Sequence, residues 1–445
     1  MKIYKRVRHL FCFIILMHAF SFSFAQAKEL DSLKLSDLIR IGLEKNYRIQ
    51  IAEAERKVAE NNTNPGNAGL LPTVELSGGG EYSQTSTNIT FFSPNQPEIN
   101  VDNAANRNAN AAVTLNYTLY SGNSNRFVLR QLREGSYQQN LRYRAQMESS
   151  ILELLQNYLS YFLERKNLNL EERAVEISLQ RYQRAEEQYQ LGVFTKLDVL
   201  NAEVDLRSDS SSYLIAELAH KKAYRQLMNS LSFPPDTQLA IATDFTLEEG
   251  IVYEEIETKA FQKNVDYLLS ESVVRQQELE LKIARSRWAP QINLSAAYQF
   301  NYQNTEAGFI ETQQNYGPAA GVSIRFPLYQ AGNRSRNKQN QELLLDAEEN
   351  RSKQAKLDLR TNLLNAFEEY NNAIDLMQLA KRNREAAIRN FERSAEAYGQ
   401  GQIDGIQLRE AQLNLLNIIN FYQSQRVQSK ISEATLLFLS GSLVE

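Results

Sequence analysis

The chain has 445 residues, with 49 Lys and Arg against 53 Asp and Glu and a formal net charge of −4. Its single Cys and three His leave almost nothing from which to build a disulfide framework or a Cys/His zinc site. An acidic chain without basic tracts also carries no nucleic-acid signature.

Residues 1–25 read as an export signal. Lys2, Lys5, Arg6 and Arg8 precede the apolar run 10–20, and Ser23-Phe24-Ala25 has the small-x-small form of a cleavage site, placing cleavage near Ala25. Four basic residues leave with it, so 49 falls to 45 against 53 acids, a net charge of −8. Cys12, His9 and His18 leave as well. The exported part then holds one histidine, His220, beside Lys221 and Lys222 in an apparently regular helix, where a surface histidine is the reading and a catalytic one is not. No later apolar run reaches the roughly 18–20 residues of a membrane-spanning helix, which says nothing against a β-barrel, whose strands are only half apolar.

The rest of the chain says nearly the same thing twice. Asn46 and the strand signal LPTVELSGGGEY (71–82) are echoed by Asn264 and APQINLSAAYQF (289–300), at an offset of 218. LYSGNSNR (119–126) and YQRAEEQYQLG (182–192) are echoed by LYQAGNRSR (328–336) and FERSAEAYGQG (391–401), now at 209. Two structurally equivalent halves follow, 26–240 and 241–445.

In each half a helical segment comes first, Leu35–Asn61 and Tyr253–Arg287. Two strands follow, each of roughly ten residues with apolar and polar positions alternating: Val74–Tyr82 and Val113–Leu119, then Ile292–Tyr302 and Val322–Leu328. Polar loops 86–110 and 304–316 join the strands of each pair. Residues 136–191 and 333–398 lack Gly and Pro and are rich in helix formers, and a straight helix of that length would span about 100 Å. Leu154, Tyr161, Leu168, Val175, Tyr182 and Tyr189 recur every seven residues, with Tyr158 and Leu179 between them and Arg165, Glu172 and Glu186 at the other intervening positions. The second half repeats the register through Leu363, Phe367, Tyr370, Ile374, Met377, Lys381, Arg384, Ile388, Phe391 and Tyr398. Sustained heptads predict coiled-coil packing, and Glu172 and Lys381, equivalent positions of opposite charge, are placed to pair across neighbouring helices. Glycines at 192 and 399–405 turn each long helix into a second one, Leu197–Leu231 and Gln407–Leu439, and 233–250 connects the halves.

Ten-residue amphipathic strands behind an export signal predict transmembrane β-structure. Four strands cannot close a barrel and an open edge cannot sit in lipid, so a homo-oligomer is required, three copies giving twelve strands. The competing reading is a periplasmic coiled-coil scaffold or surface structural protein, which the helices allow but the strands disfavour. The acidic residues lie on helix faces without the convergent pairs that acid–base catalysis needs, so no enzyme and no cofactor is expected.

This order of elements resembles the TolC-type outer membrane efflux proteins over roughly Leu33 to Ser440. The motifs are Leu71-Pro72 with its echo Ala289-Pro290, Leu119-Tyr120-Ser121-Gly122 with its echo Pro327–Gly332, and Tyr189-x-x-Gly192 followed by Asp198–Glu203. The resemblance implies a fold that is mainly α with transmembrane β. Each chain would give two repeats of strand hairpin plus long helical hairpin, and a homotrimer would join a twelve-stranded β-barrel to a twelve-helix α-barrel. It further implies the passive exit duct of a tripartite efflux or type I secretion system in a Gram-negative outer membrane. The implied partners are outer membrane lipid, a periplasmic adaptor and an inner-membrane RND or ABC transporter. By the same resemblance Asp198 and Tyr398 belong to the periplasmic gate, and two acidic constriction rings of the family's best-studied member fall on Gln407 and Glu410, only the second still a carboxylate. Leu191, Gly192, Thr195, Gly399, Gly401 and Asp404 mark the tips where the adaptor docks.

Overall fold

The computed structural model describes residues 32–443 apart from 94 and 249, so the export signal lies outside the described residues. Eight helices and four strands follow in chain order among these residues. The first repeat contains α1 (Leu35–Lys45), α2 (Tyr47–Asn61), β1 (Thr73–Ile89), β2 (Ile99–Tyr120), α3 (Ser124–Gln190) and α4 (Lys196–Ser230). The second contains α5 (Tyr253–Lys263), α6 (Val265–Ser286), β3 (Gln291–Thr305), β4 (Thr312–Arg325), α7 (Asn333–Gly399) and α8 (Gly405–Leu439). The duplication is literal: α3 and α7 are both 67 residues long and α4 and α8 both 35, each pair offset by 209.

Residues group into two compact units, one of 32–46, 150–249 and 373–431, the other of 47–149, 250–372 and the C-terminal residues from 432. The second unit holds the sheet, a single antiparallel layer in the order β1-β2-β3-β4, so the two hairpins meet through β2 and β3 and leave β1 and β4 as edges. One face carries the row Val74, Leu115, Ala296 and Ala320, and beside it Leu76, Val113, Tyr298 and Pro318. The opposite face carries Glu75, Thr114, Ala297 and Ala319 in register. Val74, Leu76, Tyr298, Tyr316, Val322 and Ile324 are all more than half exposed.

The strands are longer than their alternation predicts, at 17, 22, 15 and 14 residues, and the connecting loops shrink to 90–98 and 306–311. The apolar pattern marks only part of each ladder. Beyond it the pairing continues through polar side chains: Asn106 donates to Thr85 Oγ1 at 3.0 Å, and Arg107 to Asn304 Oδ1 at 3.0 Å. At the other end β4 stops at Arg325, leaving Phe326 and Leu328 outside it, because Pro327 has no N–H for the ladder.

Each predicted leading helix is in fact two. The breaks fall at Asn46 and Asn264, both extended, with ψ of 120° and 122°. Asn264 caps α6 by accepting from the Tyr267 N–H at 3.0 Å, and donates to the last carbonyl of α8, that of Leu439, at 3.0 Å. Asn46 likewise donates to the last carbonyl of α4, that of Ser230, at 3.2 Å.

In the first unit the core is apolar near α1, where Leu38, Leu154, Tyr158, Leu159, Phe162, Leu227, Met228 and Leu231 are essentially inaccessible. The connector seals it: Phe245 stacks edge-on against Phe162, and the Tyr158 hydroxyl donates to the Ala242 and Asp244 carbonyls. Farther along, the buried seam of α3 departs from the predicted heptad by one position. Ala174, Ser178, Arg181 and Ala185 are buried, whereas Leu179, Tyr189 and Glu172 are exposed. In α7 the predicted Leu363, Tyr370 and Tyr398 are buried, but between the last two the seam runs through Ala373, Ala380 and Ala387, and Lys381 is exposed. A straight helix drifts by about 20° per heptad, so a strict seven-residue reading slides off the contact face within a few turns. Small residues on the true seam let the helices approach closely.

Candidate functional site

The tips of both helical hairpins lie in the first unit and are built alike. Helix α3 ends in a Schellman turn, with the Val193 N–H on the Gln188 carbonyl and the Gly192 N–H on the Tyr189 carbonyl. Its counterpart at the end of α7 uses Gln402 on Ala397 and Gly401 on Tyr398. Gly192 and Gly401 have φ of 76° and 72°, the left-handed conformation this turn requires. Gly399 is instead the last residue of α7. Its carbonyl accepts from Arg184 at 3.1 Å.

The following helices start with reciprocal caps. Thr195 is the N-cap of α4: its N–H and hydroxyl donate to Asp198 Oδ2 at 2.8 and 2.7 Å, and its Oγ1 accepts from the Asp198 N–H at 3.3 Å. The hydroxyl and the N–H of Thr195 hold the Asp198 carboxyl below its usual range. Asp404 and Gln407 repeat the arrangement at α8, the Gln407 N–H donating to Asp404 Oδ1 at 2.8 Å and the Asp404 N–H to Gln407 Oε1 at 3.3 Å. Each is a capping box, a local device that satisfies first-turn amides.

Between the two tips lies a cleft of about 970 Å³. Asp198, Tyr398, Gln407, Gly399, Gly401 and Asp404 all line it. Leu191, Gly192, Thr195 and Glu410 are not among its lining residues. Leu191 is 73% exposed at the apex of the first tip, and Glu410 is exposed on α8. Tyr398 is buried with its ring beneath the Arg184 guanidinium, 5.0 Å from centroid to cation.

The sequence reading missed the strongest electrostatic feature of this region, whose Arg181, Asp205 and Arg409 themselves line the cleft. Arg409 of α8 grips Asp209 of α4 with both terminal nitrogens, at 2.6 and 2.7 Å, and its Nε lies 3.6 Å from Asp205. Arg181 of α3 reaches Asp205 at 2.9 Å and the Gly405 carbonyl at 3.1 Å. The Ser178 hydroxyl donates to Asp209 Oδ2. Three helices from both repeats are thereby joined by a network in which the side chains of Arg181, Asp209 and Arg409 are 8%, 6% and 13% exposed. Burial opposes the Arg409 charge, but Asp209, Asp205 and Glu171 outweigh it and hold the guanidinium protonated. Burial, then repulsion from Asp209, pushes the Glu171 carboxyl up. The available signal was Asp205 and Asp209 four apart, on one helix face.

The exposed apolar face of the sheet and the paired helical tips together define a membrane-channel class of protein rather than an enzyme. Residues 38–232 and 259–442 match the family model of the outer membrane efflux protein, and the chain belongs to that family. Solved structures agree in fold. CmeC, the outer membrane channel of Campylobacter jejuni, is 18% identical, with a TM-score of 0.73 over 92% of this chain and 86% of its own. VceC of Vibrio cholerae is 15% identical, with a TM-score of 0.71 over 92% and 96%. MtrE of Neisseria gonorrhoeae, an outer membrane channel in its open state, is 16% identical, with a TM-score of 0.71 over 92% and 89%. A search of curated protein sequences returns no match. The chain is thus an outer membrane efflux protein, and its fold is that of solved outer membrane channels.

Proposed function

We propose that three copies of this chain form the passive exit duct of a tripartite efflux or type I secretion system. One observation carries the reading. The sheet is a single layer with an exposed apolar face and two unpaired edges, β1 and β4. Unpaired strand edges are intolerable in lipid, and the β1-β2-β3-β4 order lets β4 of one copy pair with β1 of the next until the ring closes. Three copies give twelve strands, within the range of outer membrane barrels, and six helical hairpins to line a tunnel. CmeC and MtrE are described as outer membrane channels and VceC as an outer membrane protein, and they supply the analogy.

Asp198, Tyr398, Gln407 and Glu410 are the candidate gate. The exposed apex around Leu191, Gly192, Thr195, Gly399, Gly401 and Asp404 is the candidate dock for a periplasmic adaptor, which in turn engages an inner-membrane RND or ABC transporter. Two measurements test this. Light scattering of the detergent-purified chain is expected to return three times the chain mass; a monomer rules the duct out. In planar bilayers, D198A together with Y398F is expected to raise single-channel conductance, and unchanged conductance removes these two residues from the gate.

A further inference from the structure

At the helix-bearing end of the sheet, three arginines converge where the first repeat has none. Arg287 follows α6, Arg325 ends β4 and Arg334 lies in the first turn of α7, and all three line one cleft of about 400 Å³. Ser124 and Asn125, in the first turn of α3, close another side, so the positive end of a 67-residue helix adds to the field. No carboxylate occurs among the described lining residues. Arg334 is held in place, donating to the Pro327 carbonyl and, at 3.1 Å, to Gln330, with its guanidinium 5.8 Å from the Trp288 ring and 6.0 Å from the Phe326 ring. Arg287 and Arg325 are exposed.

The strand register fixes the side of the sheet. Arg325 pairs with Gln291, and two and four residues back along β4 come Ser323, opposite Asn293, and Gly321, opposite Ser295. This is the polar face, the one carrying Glu75 and Thr114, and not the face of Val322 and Ile324. At the equivalent positions the first repeat has Gly69, Asn116 and Asn125. There Asn125 donates to the Gly69 carbonyl at 2.6 Å, a neutral contact in place of two cations.

We propose that this cleft is an anion site of the conduit, one per chain, in which Arg287, Arg325 and Arg334 hold a phosphate, sulfate or carboxylate group of a solute in transit. Guanidinium forks match such groups bidentately, and a cleft bounded by protein concentrates the field. That the site faces the channel interior rests on the trimeric-duct reading; that it binds anions does not. Glu75 is the carboxylate of the polar face nearest this end of β1, so a neighbouring copy could bring it toward Arg325, but Arg287 and Arg334 would remain.

The probe is inorganic pyrophosphate and the sample is the full chain in detergent. Calorimetric titration is expected to give one site per chain, weakened about tenfold or more in R287Q/R325Q and again in R334Q. K282Q, on the neighbouring cleft, is expected to bind as the parent does. Equal binding in the parent and both arginine variants overturns the proposal, as does a parent that binds no pyrophosphate. In bilayers of neutral phosphatidylcholine, pyrophosphate is expected to reduce the current through the parent and not through R287Q/R325Q. Binding without any channel formation would sink the duct and leave the anion site standing. Arginine-dependent retention of phosphatidylglycerol with no pyrophosphate uptake assigns the cleft to a lipid phosphate and overturns its place in the conduit.

Discussion

Equivalent residues of the two repeats make a controlled experiment in single side chains. Each strand-to-helix turn uses two successive left-handed residues, Gly122 and Asn123 in the first repeat, Ala331 and Gly332 in the second. A Cβ on Gly122 would lie 2.5 Å from the Ser286 carbonyl oxygen and 2.6 Å from Ala289 Cβ. Gly122→Ala therefore combines left-handed strain with overpacking and is expected to cost about 2 kcal/mol or more, read as a lowered Tm. At the equivalent Ala331, φ is already 50° with a methyl present, so Ala331→Gly removes strain while loosening the unfolded chain, and is expected to change stability by less than about 1 kcal/mol. Equal losses at both would disprove the steric account. His220 offers a pH test at the same scale. Burial, then Arg165 and Lys221, pushes its imidazole below the usual 6.5. The unfolded chain therefore binds the proton more readily, and the stability that neutral His220 contributes is lost as pH falls through about 6.5. Glu164 and Glu171, whose carboxyls are raised, act in the opposite sense, so the comparison must be with H220Q. Its denaturation midpoint is expected to fall less than the parent's between about pH 6.5 and 5; parallel curves would rule the histidine out.

The long helices and their glycine tips are legible in sequence, because helix formers without Gly or Pro leave little else to form, although α3 starts at Ser124, before the predicted 136, and runs through Gly135. The packing face is less so. A stripe of Tyr, Leu and Val looks like a seam, and α3 does bury Leu154, Tyr158, Tyr161 and Leu168, yet beyond them it buries Ala174, Ser178, Arg181 and Ala185 in the stripe's place. Residue size misleads here, because close helix contact selects small side chains while the large ones lie beside the contact. For the same reason the ionic network at Arg181, Asp205, Asp209 and Arg409 stays hidden, since charges on α3, α4 and α8 read separately as solvated faces. Three of the four proposed gate residues do line the tip cleft, and the resemblance rather than the pattern pointed to them. Arg409→Gln strands Asp209 in the interior and is expected to cost about 3–5 kcal/mol, measured by chemical denaturation. Arg409→Lys is expected to recover only part of this, because an ammonium cannot reproduce the two-pronged grip. Removing both charges, in D209N/R409Q, is expected to be milder than R409Q alone. A double variant as damaged as the sum of its parts would show that the two side chains act independently.

For the whole molecule, everything depends on which face of the sheet meets lipid. Two adjacent alanines decide it. Ala320 stands in the row of Val74, Leu115 and Ala296, and Ala319 in the row of Glu75, Thr114 and Ala297. They share size, strand and depth within a residue, and differ only in the side of the layer toward which they point. An arginine in hydrocarbon costs about 2–4 kcal/mol near the bilayer midplane, whereas one on a water-filled interior is tolerated. In the proposed ring of three copies the penalty would be paid three times. Ala320→Arg is therefore expected to prevent assembly into lipid vesicles, and Ala319→Arg to assemble nearly as the parent does, both scored as the fraction of protein resistant to extraction in urea. The reverse ranking would turn the sheet inside out, place the arginine cleft against lipid and exclude it from the channel interior. Equal behaviour would mean that neither face meets hydrocarbon and that the sheet lies outside the membrane.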